Sequence, residues 1–214
     1  VDGSEYFDTA LYTGNGTSKS ITGVGFSPDF VWLINRTTAY NPGLWDTVRG
    51  ATNAIYSSLT NAEGVESGVS AFGTNGFTVG SSLGFNKLAD AFVSWNWKAG
   101  GTAVSIAAGS IDGTNPTIAS SVSANTTAGF SVVTYTGTAT NATVGHGLGV
   151  APQMVITKNR IDGAENWNSW HTGLSGNAYR ILLNLTNAED SSPTIWNSNI
   201  NPTSTTFSIG TAAG

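Results

Sequence analysis

The chain has 214 residues of which 10 % are charged, 8 Lys+Arg against 13 Asp+Glu, for a net charge of -5. That share is far below the usual ~25 %, and the absence of a basic cluster argues against nucleic acid or an anionic membrane surface as partner, since both need concentrated Lys/Arg. With no cysteine the chain has no disulfide, thiol catalyst or zinc–thiolate site, and no run of about 18 apolar residues is available to cross a bilayer.

Short runs of β-forming residues alternate with Gly/Asn/Pro punctuation along the whole chain. Glu5 to Tyr12 predicts a first strand ending at Thr13-Gly14-Asn15-Gly16, and Thr17 to Thr22 a more polar one. Pro28 leads into Phe30-Val31-Trp32-Leu33-Ile34, apolar on both faces and so expected as a central, buried strand. Trp45 to Val48, Ala54 to Leu59 and Gly76 to Gly80 follow as short strands, with a loop over Asn61 to Gly68. Ala91 to Trp97 places Val93, Trp95 and Trp97 on one face and Phe92, Ser94 and Asn96 on the other, while Asn86 to Phe92 has room for one helical turn. No window of about 12 residues keeps apolar positions at helical spacing, so the fold class is all-β. The basic-then-apolar pattern of a signal peptide does not occur at the start, and none is expected.

The chain also repeats itself. Leu59-Thr60-Asn61-Ala62-Glu63 returns letter for letter as Leu185-Thr186-Asn187-Ala188-Glu189, Tyr12-Thr13-Gly14 returns as Tyr135-Thr136-Gly137, and Asn35-Arg36 returns as Asn159-Arg160. Phe30-Val31 matches Met154-Val155, Trp45 matches Trp170, and Phe77-Thr78-Val79-Gly80 matches Phe207-Ser208-Ile209-Gly210. The offset drifts from 123 at Tyr12 to 130 at Phe77, as expected of one continuous alignment with small loop insertions. The reading is two tandem β-sandwich units related by internal duplication: 1–100, a connector over 101–129 rich in Gly, Ser, Thr and Ala, and 130–214. Within the connector only Val104 to Ala107 suggests an edge strand, and Gln153 to Lys158 is the second copy of the central strand. The Trp-rich strand at 91–97 has no counterpart after Gly210, so the second unit is expected to lack its last strand, to be supplied by further chain or by a neighbouring subunit.

Several of these strings carry a resemblance. Gly25-Phe26-Ser27-Pro28-Asp29-Phe30-Val31, Trp45-Asp46-Thr47-Val48-Arg49-Gly50-Ala51, the repeated Leu-Thr-Asn-Ala-Glu, Gly76-Phe77, Trp97-Lys98-Ala99-Gly100-Gly101 and His146-Gly147-Leu148-Gly149 resemble a repeated domain of structural proteins of tailed phages, especially those of marine bacteria and cyanobacteria. The resemblance covers nearly the whole chain. It implies lectin-like, jelly-roll type sandwiches in a virion protein, made in the bacterial host cytoplasm and partnered by other virion proteins and copies of itself as a homo-oligomer. It implies no catalytic site.

The residues that could carry chemistry are few. His146 and His171 both lie in the second unit, and although Ser175 and Asp162 are near His171 in sequence, no nucleophile-elbow pattern surrounds them. Glu63 with Glu66, and Glu189 with Asp190, sit near each other, but the strand pattern of a glycan-cleaving pair does not occur. No enzyme and no cofactor is expected; the oxygen-rich sets that a calcium ion could use are Asp112-Gly113-Thr114-Asn115 and the surroundings of Asn61 and Glu63. The repeated polar residues Asn35, Asn61, Glu63, Asn159, Asn187 and Glu189 read as structural, holding loops by hydrogen bonds. The alternative to a structural component is a module that binds host surface polysaccharide, with Trp32, Trp45 or Trp170 stacking on sugar rings beside Arg36 or Arg160. Tryptophan in a small β domain is more often core than platform. Asn-x-Ser/Thr sequons at Asn15, Asn35, Asn125, Asn141 and Asn184 are what an Asn- and Thr-rich composition yields by chance.

Overall fold

The computed structural model describes residues 2–197 and 201–212. Apart from a 3-10 turn at Gly3–Glu5 and one short helix, α1 (Leu83–Asn86), its regular structure is all strand. The first unit contains β1 (Phe7–Thr13), β2 (Lys19–Thr22), β3 (Phe30–Asn35), β4 (Gly43–Asp46), β5 (Asn53–Tyr56), β6 (Gly64–Val65), β7 (Val69–Gly73), β8 (Gly76–Val79) and β9 (Ala91–Trp97). They form two antiparallel sheets, one in the order β1-β9-β3-β4-β5-β6 and one in the order β2-β8-β7. The two sheets pack face to face over Ile21, Val31, Leu33, Trp45, Val69, Phe77, Val79, Phe85 and Phe92, all buried, which makes the unit a β-sandwich.

β3 is central as expected, and strict alternation shows why: Val31, Leu33 and Asn35 point into the sandwich, while Phe30, Trp32 and Ile34 form the outer face. β9 reverses the usual polarity. Its core side carries Phe92 with Ser94 and Asn96, fully buried, and its outer side carries Val93, Trp95 and Trp97. The buried Asn96 amide nitrogen donates to the Asp8 carbonyl and the Ser94 hydroxyl, while its Oδ1 has no partner among the described residues. Outside, Trp97 packs between Phe7 and Phe130, with ring centroids 4.8 and 5.8 Å away, and Trp95 meets Trp32 edge-on at 6.0 Å.

The second half contains β10 (Val104–Ile106), β11 (Ser120–Asn125), β12 (Phe130–Tyr135), β13 (Ala142–Gly145), β14 (Met154–Thr157), β15 (Asn168–His171), β16 (Tyr179–Leu182), β17 (Asp190–Ser191) and β18 (Thr206–Ile209). The ladder β3-β4-β5-β6 recurs here as β14-β15-β16-β17, and the pair β2-β8 recurs as β13-β18. β9, however, lies between β1 and β3, whereas among the described residues no strand lies between β12 and β14. Ala142, Val144, Phe207 and Ile209 form one core, and Trp170, Ile195 and Trp196 a second.

Two sequence expectations are corrected. The stretch 101–129 is more than a linker with one edge strand: β10 and β11 join β12 in a three-stranded sheet, with Val122 buried. β11 escapes a hydrophobic pattern search because its buried Ser120 and Ser123, on opposite faces, satisfy backbone groups, Ser120 Oγ donating to the Gly145 carbonyl and Ser123 Oγ to that of Gly101. Likewise the helical turn falls at 83–86 instead of 86–92, while strand β7 follows the loop expected over Asn61 to Gly68 in a stretch for which no element was expected.

Candidate functional site

The largest cluster of opposed charges joins the first unit to the second. Asp46 ends β4, and its carboxylate accepts the Arg49 backbone N–H (2.8 Å), closing the tight turn that brings the Arg49 side chain back under the strand. Arg49 is 5 % exposed and uses its whole fork: Nε donates to Asp46, Nη1 to the Asn53 carbonyl and to Glu63 Oε2 (both 2.9 Å), and Nη2 to the Leu44 carbonyl (3.0 Å). Glu63 arrives from the loop before β6 and is shared. Its other donor is Arg160 of the second unit, bidentate at 3.0 Å (Nε to Oε2) and 2.6 Å (Nη2 to Oε1).

Around this cluster the second unit grips the first at three more points. The Glu63 N–H donates to the Arg160 carbonyl (2.8 Å), Lys158 Nζ to the Thr60 carbonyl (3.0 Å), and Trp167 Nε1 to the Tyr56 carbonyl (2.9 Å). Trp167 and Leu183 then cover Leu44 and Ile55 on the outer face of β4 and β5. Burial alone raises the Glu63 pKa, yet the bonds from Arg160 and Arg49 outweigh it and hold the carboxyl below its ordinary value. The same bond raises Arg160, whereas burial lowers Lys158.

A family model described as "Domain of unknown function (DUF7483)" matches residues 2–214. The chain belongs to the DUF7483 family. No curated protein and no solved structure matches it.

The five residues considered for sugar stacking are not brought together. Trp45 is 0 % exposed, its ring perpendicular to Phe85 at 4.8 Å, and Trp170 is 5 % exposed in the cluster with Ile195 and Trp196. Neither has a face for a ligand: in β4 and β15 these positions point into the sandwich, so both tryptophans are core. Trp32 is half-buried against Trp95, Arg160 is held by Glu63, and Arg36 is exposed on the turn after β3. Sequence reasoning missed Arg49, Tyr56 and Trp167. Trp167 did carry a signal, since it stands one residue before β15 where the first unit has Pro42 one residue before β4.

The remaining chemical candidates are engaged singly. His146 is buried, with Nδ1 accepting from the Leu148 N–H (3.1 Å) and Nε2 donating to the Thr203 carbonyl (3.2 Å), and burial lowers its pKa. His171 Nδ1 accepts from the Gly173 N–H, and Ser175 Oγ donates to Glu189 instead of pairing with a histidine. Glu66 accepts from the Tyr56 hydroxyl, and Asp190 from Arg180. Of the two oxygen-rich sets, the Asp112 carboxylate accepts from Thr114 and Asn115, backbone and side chain alike, and Glu63 is taken by two arginines. Among the described residues no three acidic, His or Cys side chains converge as a metal site.

Of the repeated asparagines, Asn35 and Asn159 each fold the turn after a central strand, while Asn61 and Asn187 are exposed. An open groove of about 370 Å³ lies between the units, lined by Asp29, Lys98, Gly100 and Asn125, but Asp29 is already bonded to Thr47 and the Gly101 N–H. The space beside Val155, Trp170 and Phe207 is about 10 Å³, room for a single water.

Proposed function

We propose that this chain is a non-enzymatic building block of a tailed-phage particle, a fibre, appendage or capsid decoration, whose two β-sandwich units derive from one by duplication. The observation that carries the reading is the Asp46–Arg49–Glu63–Arg160 cluster: the chain's most elaborate polar site holds one unit to the next, its charged groups spent on one another. The low charge, the absence of cysteine and the recurring ladder order support it, as does the resemblance to phage structural domains. Immunogold labelling of virus particles released by the host that carries this gene tests it. Label on a defined part of the particle is the expected result; label confined to the soluble cell fraction overturns the proposal.

Recognition of a host surface glycan is the second reading, favoured by one observation. Trp32 and Trp95 lie together, half-buried, on the outer face of the first sheet, where an aromatic pair can take a sugar ring. Binding on a glycan array that is lost in Trp95→Ala supports it, and an array without hits removes it.

A further inference from the structure

The contact between the two units has an unused half at each end of the molecule. Inside the chain, the turn after β14 carries Asn159 and Arg160 and closes on the Leu59–Glu63 loop. Each side of that contact exists once more. Asn35 and Arg36 follow β3 as Asn159 and Arg160 follow β14, and both asparagines shape the same turn. Asn35 Oδ1 accepts from the N–H groups of Thr37 and Thr38 (2.8 and 2.9 Å), and Asn159 Oδ1 from those of Ile161 and Asp162 (2.9 and 3.0 Å). Leu185–Glu189 is the second copy of the loop. Arg36 is exposed and makes no ion pair among the described residues, while Glu189 is exposed and holds only Ser175.

The apolar part of the contact is duplicated in the same way. In the first unit Trp32, Leu44 and Ile55 stand opposite one another across β3, β4 and β5, and Trp167 and Leu183 cover Leu44 and Ile55 while Trp32, at the edge of that contact, stays half-buried. The matching row of the second unit is Ile156, Ser169 and Ile181 across β14, β15 and β16. Among the described residues the two isoleucines of that row stay partly open, Ile156 at 42 % and Ile181 at 43 % exposed beside Met154 at 52 %, with the small Ser169 buried between them at 7 %.

We infer that a second copy of this chain docks head to tail on that face, its Arg36 turn closing on the Glu189 loop as Arg160 closes on Glu63. The incoming copy brings Tyr40, 38 % exposed, and Pro42 to the row of Ile156 and Ile181, on the loop that corresponds to the one bearing Trp167. The occupant is a copy of the same chain because both halves of the contact, opposite in charge, stand on one molecule and repeat an interface the fold already makes. Since they are different patches, the contact is heterologous and propagates into a ring or an open filament instead of stopping at a dimer.

This self-contact rests on the assembly reading above and is tested by light scattering over a concentration series. The 214-residue chain gains mass beyond a dimer as concentration rises. Arg36→Glu and Glu189→Arg, both at exposed positions and checked for unchanged circular dichroism, each weaken association by about tenfold or more. Mixing the two variants restores it, because each supplies the charge the other has lost. A chain that stays monomeric throughout, or one whose assembly is indifferent to both substitutions, overturns the self-contact. The two readings fail separately: a monomeric chain that still labels the particle refutes the self-contact alone, and an assembling chain absent from the particle refutes the phage reading alone.

Discussion

Glu63→Gln tests how strongly the charged cluster ties one unit to the other. The substitution keeps the shape of the side chain and removes the charge that three donors share, two from Arg160 and one from Arg49. Breaking a fully buried pair by removing one partner costs about 3–5 kcal/mol. Two features lower that figure here. Arg49, 5 % exposed, keeps Asp46 and two carbonyls, and Arg160, 39 % exposed, is free to turn to water. The expected cost is therefore about 2 kcal/mol, equivalent to roughly 4–8 °C in Tm for a chain of this size. Arg160→Ala costs less, about 1 kcal/mol, because it leaves Glu63 paired with Arg49. Since the two changes touch one carboxylate, they are not additive: in the Glu63→Gln background Arg160→Ala costs close to nothing. Urea unfolding of wild type, both singles and the double measures the coupling. Additive costs, or a Glu63→Gln loss below about 0.5 kcal/mol, would show that the cluster does not tie the units together.

Acid unfolding follows from two groups of different sign but like effect. His146 is held neutral by burial, so its contribution is present above the ordinary value of 6.5 and fades as pH falls below it, because the unfolded chain takes the proton first. Glu63 is held ionised, so its contribution persists below that and fades only as pH drops under the ordinary 4.5. A urea midpoint that declines in these two windows is expected, with His146→Gln flattening the upper one; an upper window unchanged in the variant rejects the assignment. Asn86 is buried and bonds Asn15, Gly80 and Thr17, so Asn86→Ala orphans several backbone groups and costs about 2–4 kcal/mol, measured by the same unfolding; under about 1 kcal/mol contradicts it. Trp45→Ala costs about 3–5 kcal/mol by cavity formation, and Gly68→Ala about 1–3 kcal/mol because the Trp45 ring occupies the space of the new methyl, both read as Tm in calorimetry.

Strand positions were legible where side chains alternate in size and wherever bulky residues cluster. β9 falls at Ala91–Trp97 as its pattern predicts, and β3 is central. Alternation nevertheless leaves open which face is inside: in β9 the tryptophans look like the core side, yet Ser94 and Asn96 are buried, because another unit supplies the aromatic partner Phe130 for the outer face. β7 and β11 were hidden for the opposite reason: β7 has only Val69 and Phe72, and β11 only Val122, as large apolar residues among Ser, Ala, Gly and Asn, too few to make an alternating pattern. The site was least legible of all. Arg49 and Glu63 are 14 residues apart and Glu63 and Arg160 are 97 apart, so their meeting depends on the packing of whole units and leaves no local pattern.

The repeated Leu-Thr-Asn-Ala-Glu shows what a letter-for-letter repeat does and does not specify. Both copies lead into the short edge strand of a four-strand ladder, β6 in one case and β17 in the other, so local conformation follows the string. Environment does not. Glu63 is half-buried between two arginines because a second unit follows and offers Arg160, whereas Glu189, preceded by the same four residues, faces solvent and bonds Ser175. The same holds one layer down, where Leu44 and Ile55 are covered by Trp167 and Leu183 while Ile156 and Ile181 are 42 % and 43 % exposed. The same string thus stands in two environments, paired in one copy and exposed in the other.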